Sequence, residues 1–228
     1  MRATRLAAAA TAAIAAATLA YAHGDVAPQA VNTDALPDVG EEWLTENPYR
    51  GQGDAVWQAA IDVGASGYNS NCARCHGLGA ISGGLAPDLR FLEAEEYGDS
   101  WFIERFRSGY TQGGVTKMPA FGDLLGQKAA WAIRTYIETR PDDAAMAEQT
   151  DALKALRDDL AAWAEGQGTP DPEGARARLS EIASGIGTLS GAPVADSIAA
   201  RAASQIDGSA ASYKLAAETL TVGLSAAH

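Results

Sequence analysis

The stretch Cys72-Ala73-Arg74-Cys75-His76 decides how this chain is interpreted, because both cysteines of the 228-residue sequence lie in one C-x-x-C-H pattern. The pattern is typical of covalent haem c attachment, in which two thiols bond to the porphyrin and the adjacent histidine ligates the iron. We therefore predict one haem c per chain, held by Cys72 and Cys75, with His76 as an axial ligand. The alternatives are a chance motif, a single disulfide and a thioredoxin-like dithiol. The dithiol needs a βαβ unit, and the sequence shows no such pattern.

The N-terminus predicts export from the cytoplasm. Residues 1–5 contain two arginines, an Ala-rich apolar stretch follows, and residues 20–22 read Ala-Tyr-Ala. This arrangement is typical of a secretory signal peptide over residues 1–22. A membrane anchor is the alternative, but the segment is short, and no later stretch approaches the roughly 18 apolar residues of a spanning helix. We expect a periplasmic chain that begins at His23 and has no membrane span after cleavage.

The acidic balance of the sequence excludes some partners. The formal net charge is −12, and without the two arginines of the predicted signal peptide 15 basic residues face 29 acidic ones, a net charge of −14. A strongly acidic chain is unsuited to nucleic acid and to an anionic membrane surface. We therefore predict no nucleic-acid partner.

Composition divides the mature chain into three parts. Residues 23–54 are rich in Pro, Gly and acids, which predicts an extended N-terminal arm anchored by Trp43 and Tyr49. Residues 55–140 carry the motif and predict a helical domain, with helices over 54–70, 100–108 and 124–139 and loops over 77–87 and 109–122. Residues 141–228 are Ala-rich, and apolar stripes over 153–163 and 179–189 predict two or more amphipathic helices. The predicted class is all-α, with a C-terminal helical extension of unknown role.

The sixth iron ligand can be a Met, a His, a Lys or an amine, and two methionines remain after signal cleavage, Met118 and Met146. Met118 precedes Pro119, which stiffens the backbone, in a predicted loop between two helices. Met146 lies among Ala and Glu in the extension, where a methionine is usually core filler. We predict that His76 and Met118 are the metal ligands.

With these residues assigned, the segment from about Val56 to Arg140 resembles a class I cytochrome c domain. Gly64, Tyr68 and Cys72 match that family's spacing in its first helix, and Trp131 and Tyr136 are candidates for the aromatic residue on its last helix. The resemblance implies an all-α domain around one covalent haem. It also implies that the carbonyl of Pro87 accepts a hydrogen bond from the imidazole of His76.

Further candidates concern the haem propionates. Arg90 is predicted to contact the haem, and Trp101, Arg105 and Tyr110 are candidates for the same role. For each of them, surface charge or core packing is the alternative.

A narrower resemblance suggests partners. Residues 68–78, 80–90 and 114–119, together with 23–26, are similar to the PedF-type periplasmic cytochromes c. The resemblance implies that a periplasmic quinoprotein (PQQ-dependent) alcohol dehydrogenase is the electron donor. A terminal oxidase or another cytochrome is the expected acceptor.

The predicted ligand set favours electron transfer over catalysis. An iron with both axial positions filled has no open site for a substrate, so we predict an electron carrier and no enzyme. A haem enzyme such as a small peroxidase, or a cytochrome subunit of a dehydrogenase complex, is the alternative. A gas-sensing or structural haem protein is a third. The sequence holds no second C-x-x-C-H motif to support an enzyme.

Overall fold

The computed structural model describes residues 28–195 and 197–225, and the predicted signal peptide, His23 and the first residues of the arm lie outside this range. The described chain is mostly helical, as predicted. Its helices are α1 (Asp54–Asn71), α2 (Ala73–His76), α3 (Glu96–Ser108), α4 (Gly122–Glu138), α5 (Asp143–Glu148), α6 (Thr150–Ala164), α7 (Pro172–Gly185), α8 (Ile198–Gln205) and α9 (Ala210–Ser225). Short 3-10 turns lie at Pro48–Gly51, Leu78–Ala80 and Leu89–Phe91. Among the described helices, none combines the length and the apolar character needed to cross a membrane.

Helices α1 and α4 cross at Gly64. A Cβ atom at this position would lie 2.0 Å from the carbonyl oxygen of Ala132 and 2.9 Å from the Cβ of Tyr136, so only glycine permits this approach. One turn later, Tyr68 packs on Tyr136 with ring centroids 5.3 Å apart. The predicted helix crossing is confirmed, with Tyr136 as the aromatic partner. Trp131 is buried elsewhere and donates its indole N–H to Gln127.

The segment predicted as a loop over 109–122 contains a two-stranded antiparallel hairpin, β1 (Tyr110–Gln112) and β2 (Val115–Met118). Its turn is formed by Gly113 and Gly114, whose φ values are +59° and +77°. Two consecutive glycines with positive φ suit the tight turns whose twist matches a hairpin. The prediction of an irregular loop was therefore wrong, and the Gly-Gly pair is the sequence signal for the correct structure.

Two predicted helices differ from the structure by more than two residues at one end. Helix α3 begins at Glu96 rather than at residue 100. Helix α7 ends at Gly185, so the predicted stripe over 179–189 is helical only in its first half. Ile186 is still buried although it lies beyond the helix. Glycines at 185 and 187 explain the early end, because glycine in a helix interior is unfavourable.

The N-terminal arm lies against α3 and α4. Tyr49 is fully buried, and Trp43 packs on Phe106 with ring centroids 6.4 Å apart. The backbone N–H of Leu44 donates to the side chain of Gln127 over 2.6 Å. The two aromatic residues predicted as anchors of the arm therefore both pack on the helical domain.

Beneath the arm, four charged side chains form what we call the buried ion cluster: Arg50, Asp99, Arg134 and Glu138. Arg50 bonds to Asp99 and to Glu138 over 2.5 Å each, and Arg134 bonds to Asp99 over 2.8 Å. Burial raises the pKa of Glu138, and hydrogen bonding to Arg50 opposes this effect. Two cations balance two anions here, and removal of any one would leave a buried charge without compensation.

Two hydrophobic cores lie under the two halves of the chain. The first is built by the arm, α1, α3 and α4, and the second by α6 to α9.

Residues 186–195, which we call the docking segment, join the extension to the first half. Ser190 donates its hydroxyl to the Glu138 carbonyl over 2.5 Å, and its own carbonyl accepts from Ala94 N–H over 2.9 Å. The side chain of Ala195 also packs against the first core.

Substitution of Gly64 tests the crossing of α1 and α4. Gly64→Ala places a methyl group against the backbone of Ala132, so we expect the free energy of unfolding to fall by about 1–3 kcal/mol. Denaturant titration of the full-length protein measures this change. Gly51→Ala is the control, because a Cβ there meets no atom within 4 Å. Equal stability of the two variants would contradict the packing described here.

Candidate haem site

Helix α1 leads directly into the C-x-x-C-H motif, which forms a single helical turn. The N–H of Cys72 donates to the carbonyl of Tyr68 over 2.8 Å, and the N–H groups of Cys75 and His76 donate to the carbonyl of Cys72 over 3.1 and 3.0 Å. Residues three apart on a helix share one face, so this turn brings the two thiols to the same side. Cys72 is partly buried, Cys75 is exposed, and both are free thiols.

Gly77 ends this turn and redirects the chain. Its φ is +81°, and a Cβ atom would lie 1.8 Å from the carbonyl oxygen of Ile81. The hydroxyl of Tyr68 donates to the carbonyl of Gly77 over 2.8 Å. Tyr68 therefore connects the helix crossing with the end of the motif, which fixes the position of the motif on the domain.

The imidazole of His76 has a defined orientation. Its Nδ1 lies 2.8 Å from the carbonyl oxygen of Pro87. A carbonyl oxygen only accepts hydrogen bonds, so Nδ1 carries the proton and the lone pair of Nε2 is available for a metal. This is the contact that the family resemblance implies for Pro87.

The thiol chemistry of the motif disfavours the dithiol alternative. Burial, together with the smaller effect of the neighbouring Cys75, raises the pKa of Cys72 to about 12. Catalytic thiols of thioredoxin type have lowered pKa values, because the thiolate is the nucleophile. The raised pKa of Cys72 keeps this thiol protonated, so it is a poor nucleophile.

Met118 stands at the end of β2, where it is paired with Tyr110. It is partly buried against the first core, and Cys72 is partly buried against the same core. Gly109 has a φ of +69°, and a Cβ atom there would lie 2.5 Å from the carbonyl oxygen of Met118, so the backbone at Met118 is closely packed. Met146, in contrast, packs against the second core.

Large apolar side chains are exposed close to the motif and to Met118 in the chain. The exposed fractions of Leu78 and Leu85 are 76% and 77%, and that of Val115 is 56%. Ile81 and Tyr110 are also exposed. These residues offer hydrophobic surface to a porphyrin, and together with two thiols, an imidazole and a thioether they fit a haem.

Three of the four propionate candidates lie together. The guanidinium of Arg105 stacks on Trp101 and on Tyr110, at 5.3 and 5.1 Å from the ring centroids. Tyr110 is in turn the strand partner of Met118. The structure therefore groups these side chains next to the predicted sixth ligand.

Arg90, the fourth candidate, is separate and largely engaged by protein groups. Its Nε and Nη2 donate to Asp88, Nη2 also donates to Asp143, and Nη1 donates to the carbonyl of Pro141. A contact between Arg90 and the haem stays a prediction, and this geometry favours a role in joining chain segments.

Asp88 is the residue that sequence reasoning missed. Its carboxylate accepts from the N–H of Arg90, caps the turn Leu89–Phe91, and also accepts from the N–H of Ser82. Burial acts to raise the pKa of Asp88, but the bonds from Arg90 outweigh it and hold the pKa below the usual value. An Asp followed two residues later by Arg, directly after Pro87, was the available signal.

Comparison with known proteins identifies the class of this site. A sequence profile described as cytochrome c oxidase, cbb3-type, subunit III matches residues 59–137. Cytochrome c550 of Pseudomonas aeruginosa is 52% identical over 122 residues, which cover 54% of this chain and 83% of that protein. The chain belongs to the cytochrome c family. It therefore binds haem c covalently and acts as an electron carrier.

More distant relatives are larger proteins, and only a part of each one matches this chain. The quinohemoprotein alcohol dehydrogenase ADH-IIG of Pseudomonas putida is 35% identical over 85 residues, which cover 37% of this chain and 11% of that enzyme. The cbb3-type cytochrome c oxidase subunit FixP of Rhizobium meliloti is 28% identical over 126 residues, which cover 49% of this chain and 38% of that subunit. No solved structure gives a significant match to this cytochrome.

The pKa of Asp88 gives this cytochrome a predicted pH dependence. A carboxylate whose pKa is lower in the folded chain stabilises the fold above its ordinary pKa, and this contribution is lost as the pH falls through the lower folded value. We expect Asp88→Asn to lower the free energy of unfolding at neutral pH. The difference from the wild type should shrink as the pH falls below the ordinary value of 3.8.

Denaturant titrations at a series of pH values measure this difference. Asp159→Asn, which removes an exposed carboxylate on α6, serves as the control. A gap between wild type and Asp88→Asn that stays constant into the acid range would contradict the prediction.

Proposed function

We propose that this cytochrome carries single electrons in the periplasm, from a quinoprotein alcohol dehydrogenase towards the respiratory chain. The observation that carries the electron-transfer part is the orientation of His76 by Pro87, with Nε2 left to a metal, in a chain of the cytochrome c family. The periplasmic location rests on the signal peptide predicted over residues 1–22.

His76 and Met118 are the proposed axial ligands. Haem c bound by these residues would supply one-electron chemistry between ferric and ferrous iron, in which a thioether ligand favours the ferrous state. Cys72 and Cys75 would fix the porphyrin to the turn that follows α1. The protein then holds the ligands in place and buries part of the haem, which limits the structural change that accompanies each electron transfer.

The identities of donor and acceptor are supported by the relatives. A matching segment occurs within a quinohemoprotein alcohol dehydrogenase, where it covers 11% of the enzyme. This suggests that the same kind of domain can work next to a quinoprotein, here as a separate chain. The similarity to FixP, a subunit of a cbb3-type oxidase, supports a terminal oxidase or another cytochrome as acceptor.

Docking of the donor is proposed to involve two cations near the ligands. Arg74 lies within the motif and Lys117 precedes Met118, and both side chains are exposed. Arg50, Arg90 and Arg134, in contrast, form buried or partly buried ion pairs. Arg74 and Lys117 are therefore available to meet an acidic surface, which accelerates the encounter of the two proteins.

Substitution of Met118 tests the ligand assignment. Met118→Ala removes the proposed sulfur ligand, so the sulfur-to-iron band at the red end of the ferric spectrum should disappear and the reduced protein should bind carbon monoxide. Met146→Ala is the matched control and should leave both properties unchanged. A ferric spectrum of Met118→Ala that equals that of the wild type would exclude Met118 as the ligand.

Charge reversal tests the docking surface. Reduction of the ferric cytochrome by a purified quinoprotein alcohol dehydrogenase and its alcohol is followed by stopped flow. We expect the second-order rate constant to fall as ionic strength rises, because salt screens exposed charges. Arg74→Glu and Lys117→Glu should each lower this rate constant by about tenfold at low salt.

Lys154→Glu is the control for the change of net charge, because Lys154 is exposed on α6 in the extension. It should leave the rate near that of the wild type. An unchanged rate together with a shifted reduction potential in Arg74→Glu and Lys117→Glu would rule out docking at these residues. It would instead indicate that they interact with the haem.

A further inference from the structure

We propose that the C-terminal extension positions the axial histidine of the haem, through a bridge formed by Asp143, Arg90 and Asp88. The proposal rests on His76 being an iron ligand, as proposed above. It gives the extension a part in setting the redox properties of the haem.

The bridge begins in the extension. Asp143 is the first residue of α5, and its carboxylate lies 2.8 Å from Nη2 of Arg90. The carbonyl of Pro141 accepts from Nη1 of the same guanidinium over 3.2 Å. The side chain of Arg90 is only 5% exposed, so its position is closely defined, whereas that of Asp143 is 57% exposed.

The bridge continues into the loop that holds the histidine. Nη2 and Nε of Arg90 donate to the two carboxylate oxygens of Asp88, over 2.7 and 3.0 Å. Two parallel hydrogen bonds fix the orientation of the Asp88 carboxylate as well as its distance from the guanidinium of Arg90. Asp88 is adjacent to Pro87, whose carbonyl accepts from His76, so the orientation of the carbonyl depends on the backbone that Asp88 holds.

The far side of the loop is fixed by the same carboxylate. The N–H of Ser82 approaches Asp88 at 3.4 Å, and the hydroxyl of Ser82 donates to the carbonyl of Ala86 over 2.5 Å. The loop between residues 82 and 88 is therefore closed on itself, and Arg90 attaches this closed loop to the extension.

The extension is itself held against the haem domain, so it can act as a support for the bridge. The N–H of Asp142 donates to the carbonyl of Gly187 over 2.9 Å, and Pro141 forms a β-bridge with Thr188. Through Ser190 the docking segment is bonded to the end of α4. The start of α5 is thereby fixed relative to α4, and α4 crosses the helix that carries the motif.

The hydrogen bond from His76 to Pro87 matters because it controls how strongly the imidazole donates electrons. A firmly held acceptor at Nδ1 makes the ring a stronger ligand. A stronger donor stabilises the ferric iron more than the ferrous iron. Loss of the bridge should therefore weaken this bond and raise the reduction potential.

The test compares four variants of the full-length, haem-loaded protein, of which Asp143→Glu keeps the charge of the extension. Asp143→Asn removes the charge in the extension that holds Arg90. Arg90→Lys keeps the positive charge but lacks the planar fork that spans both carboxylates. Asp159→Asn is the control, since it removes an exposed carboxylate of the extension outside the bridge. Midpoint potentials come from spectroelectrochemical titration, and exchange of the His76 Nδ1 proton comes from NMR of the reduced protein.

The proposal predicts that Asp143→Asn and Arg90→Lys both raise the potential and speed exchange of the Nδ1 proton several-fold, while Asp159→Asn changes neither. Asp143→Glu should restore values close to the wild type. If only Asp143→Asn raises the potential, the effect is that of a charge and the proposal fails. It also fails if the exchange rate stays constant in both variants.

The outcome can be interpreted even if one variant does not fold or the proposed function is wrong. Because Asp143 is more than half exposed, its variant is expected to fold even if Arg90→Lys does not. The rate of reduction by a dehydrogenase, which tests the proposed function, is a separate measurement. Failure of the bridge would therefore leave the electron-carrier function untouched.

Discussion

The contact on which the haem domain depends is the crossing of α1 and α4 at Gly64. The missing side chain lets the backbone of Ala132 approach, and Tyr68 and Tyr136 fill the space beside it. Tyr68 then reaches the carbonyl of Gly77, beyond the haem motif. The position of the two thiols and of His76 thus follows from how closely two helices approach, since the motif is the direct continuation of one of them.

The helix crossing was predicted from the sequence, and the hairpin that carries Met118 was not. The C-x-x-C-H motif and the Gly64–Tyr68 spacing each lie within a few residues of the chain, so their structure can be predicted without knowledge of the rest of the fold. The hairpin was not predicted, although Gly113 and Gly114 are a turn signal. Each of its strands has only three or four residues, which is too short for a clear alternating pattern.

Long-range pairing of charges was beyond the reach of the sequence. Nothing in the order of residues indicates that Arg50 would lie between Asp99 and Glu138, 49 and 88 positions away. Arg90 is a candidate for contact with the haem propionates on its sequence, yet its guanidinium bonds to Asp88 and to Asp143 of the extension. An arginine can pair with any of 29 acidic residues, and only the fold selects among them.

The joint between the extension and the haem domain uses main-chain atoms to a large degree. The carbonyls of Glu138 and Thr139, at the last turn of α4, accept bonds from Ser190 and Ala195, and Ala94 donates its N–H to Ser190. Carbonyls at the end of a helix lack partners within the helix, whatever the side chains are. A segment that satisfies them places few demands on the sequence of the domain it joins. During evolution, an extension of this kind could be gained or exchanged by gene fusion while the haem domain kept its own residues.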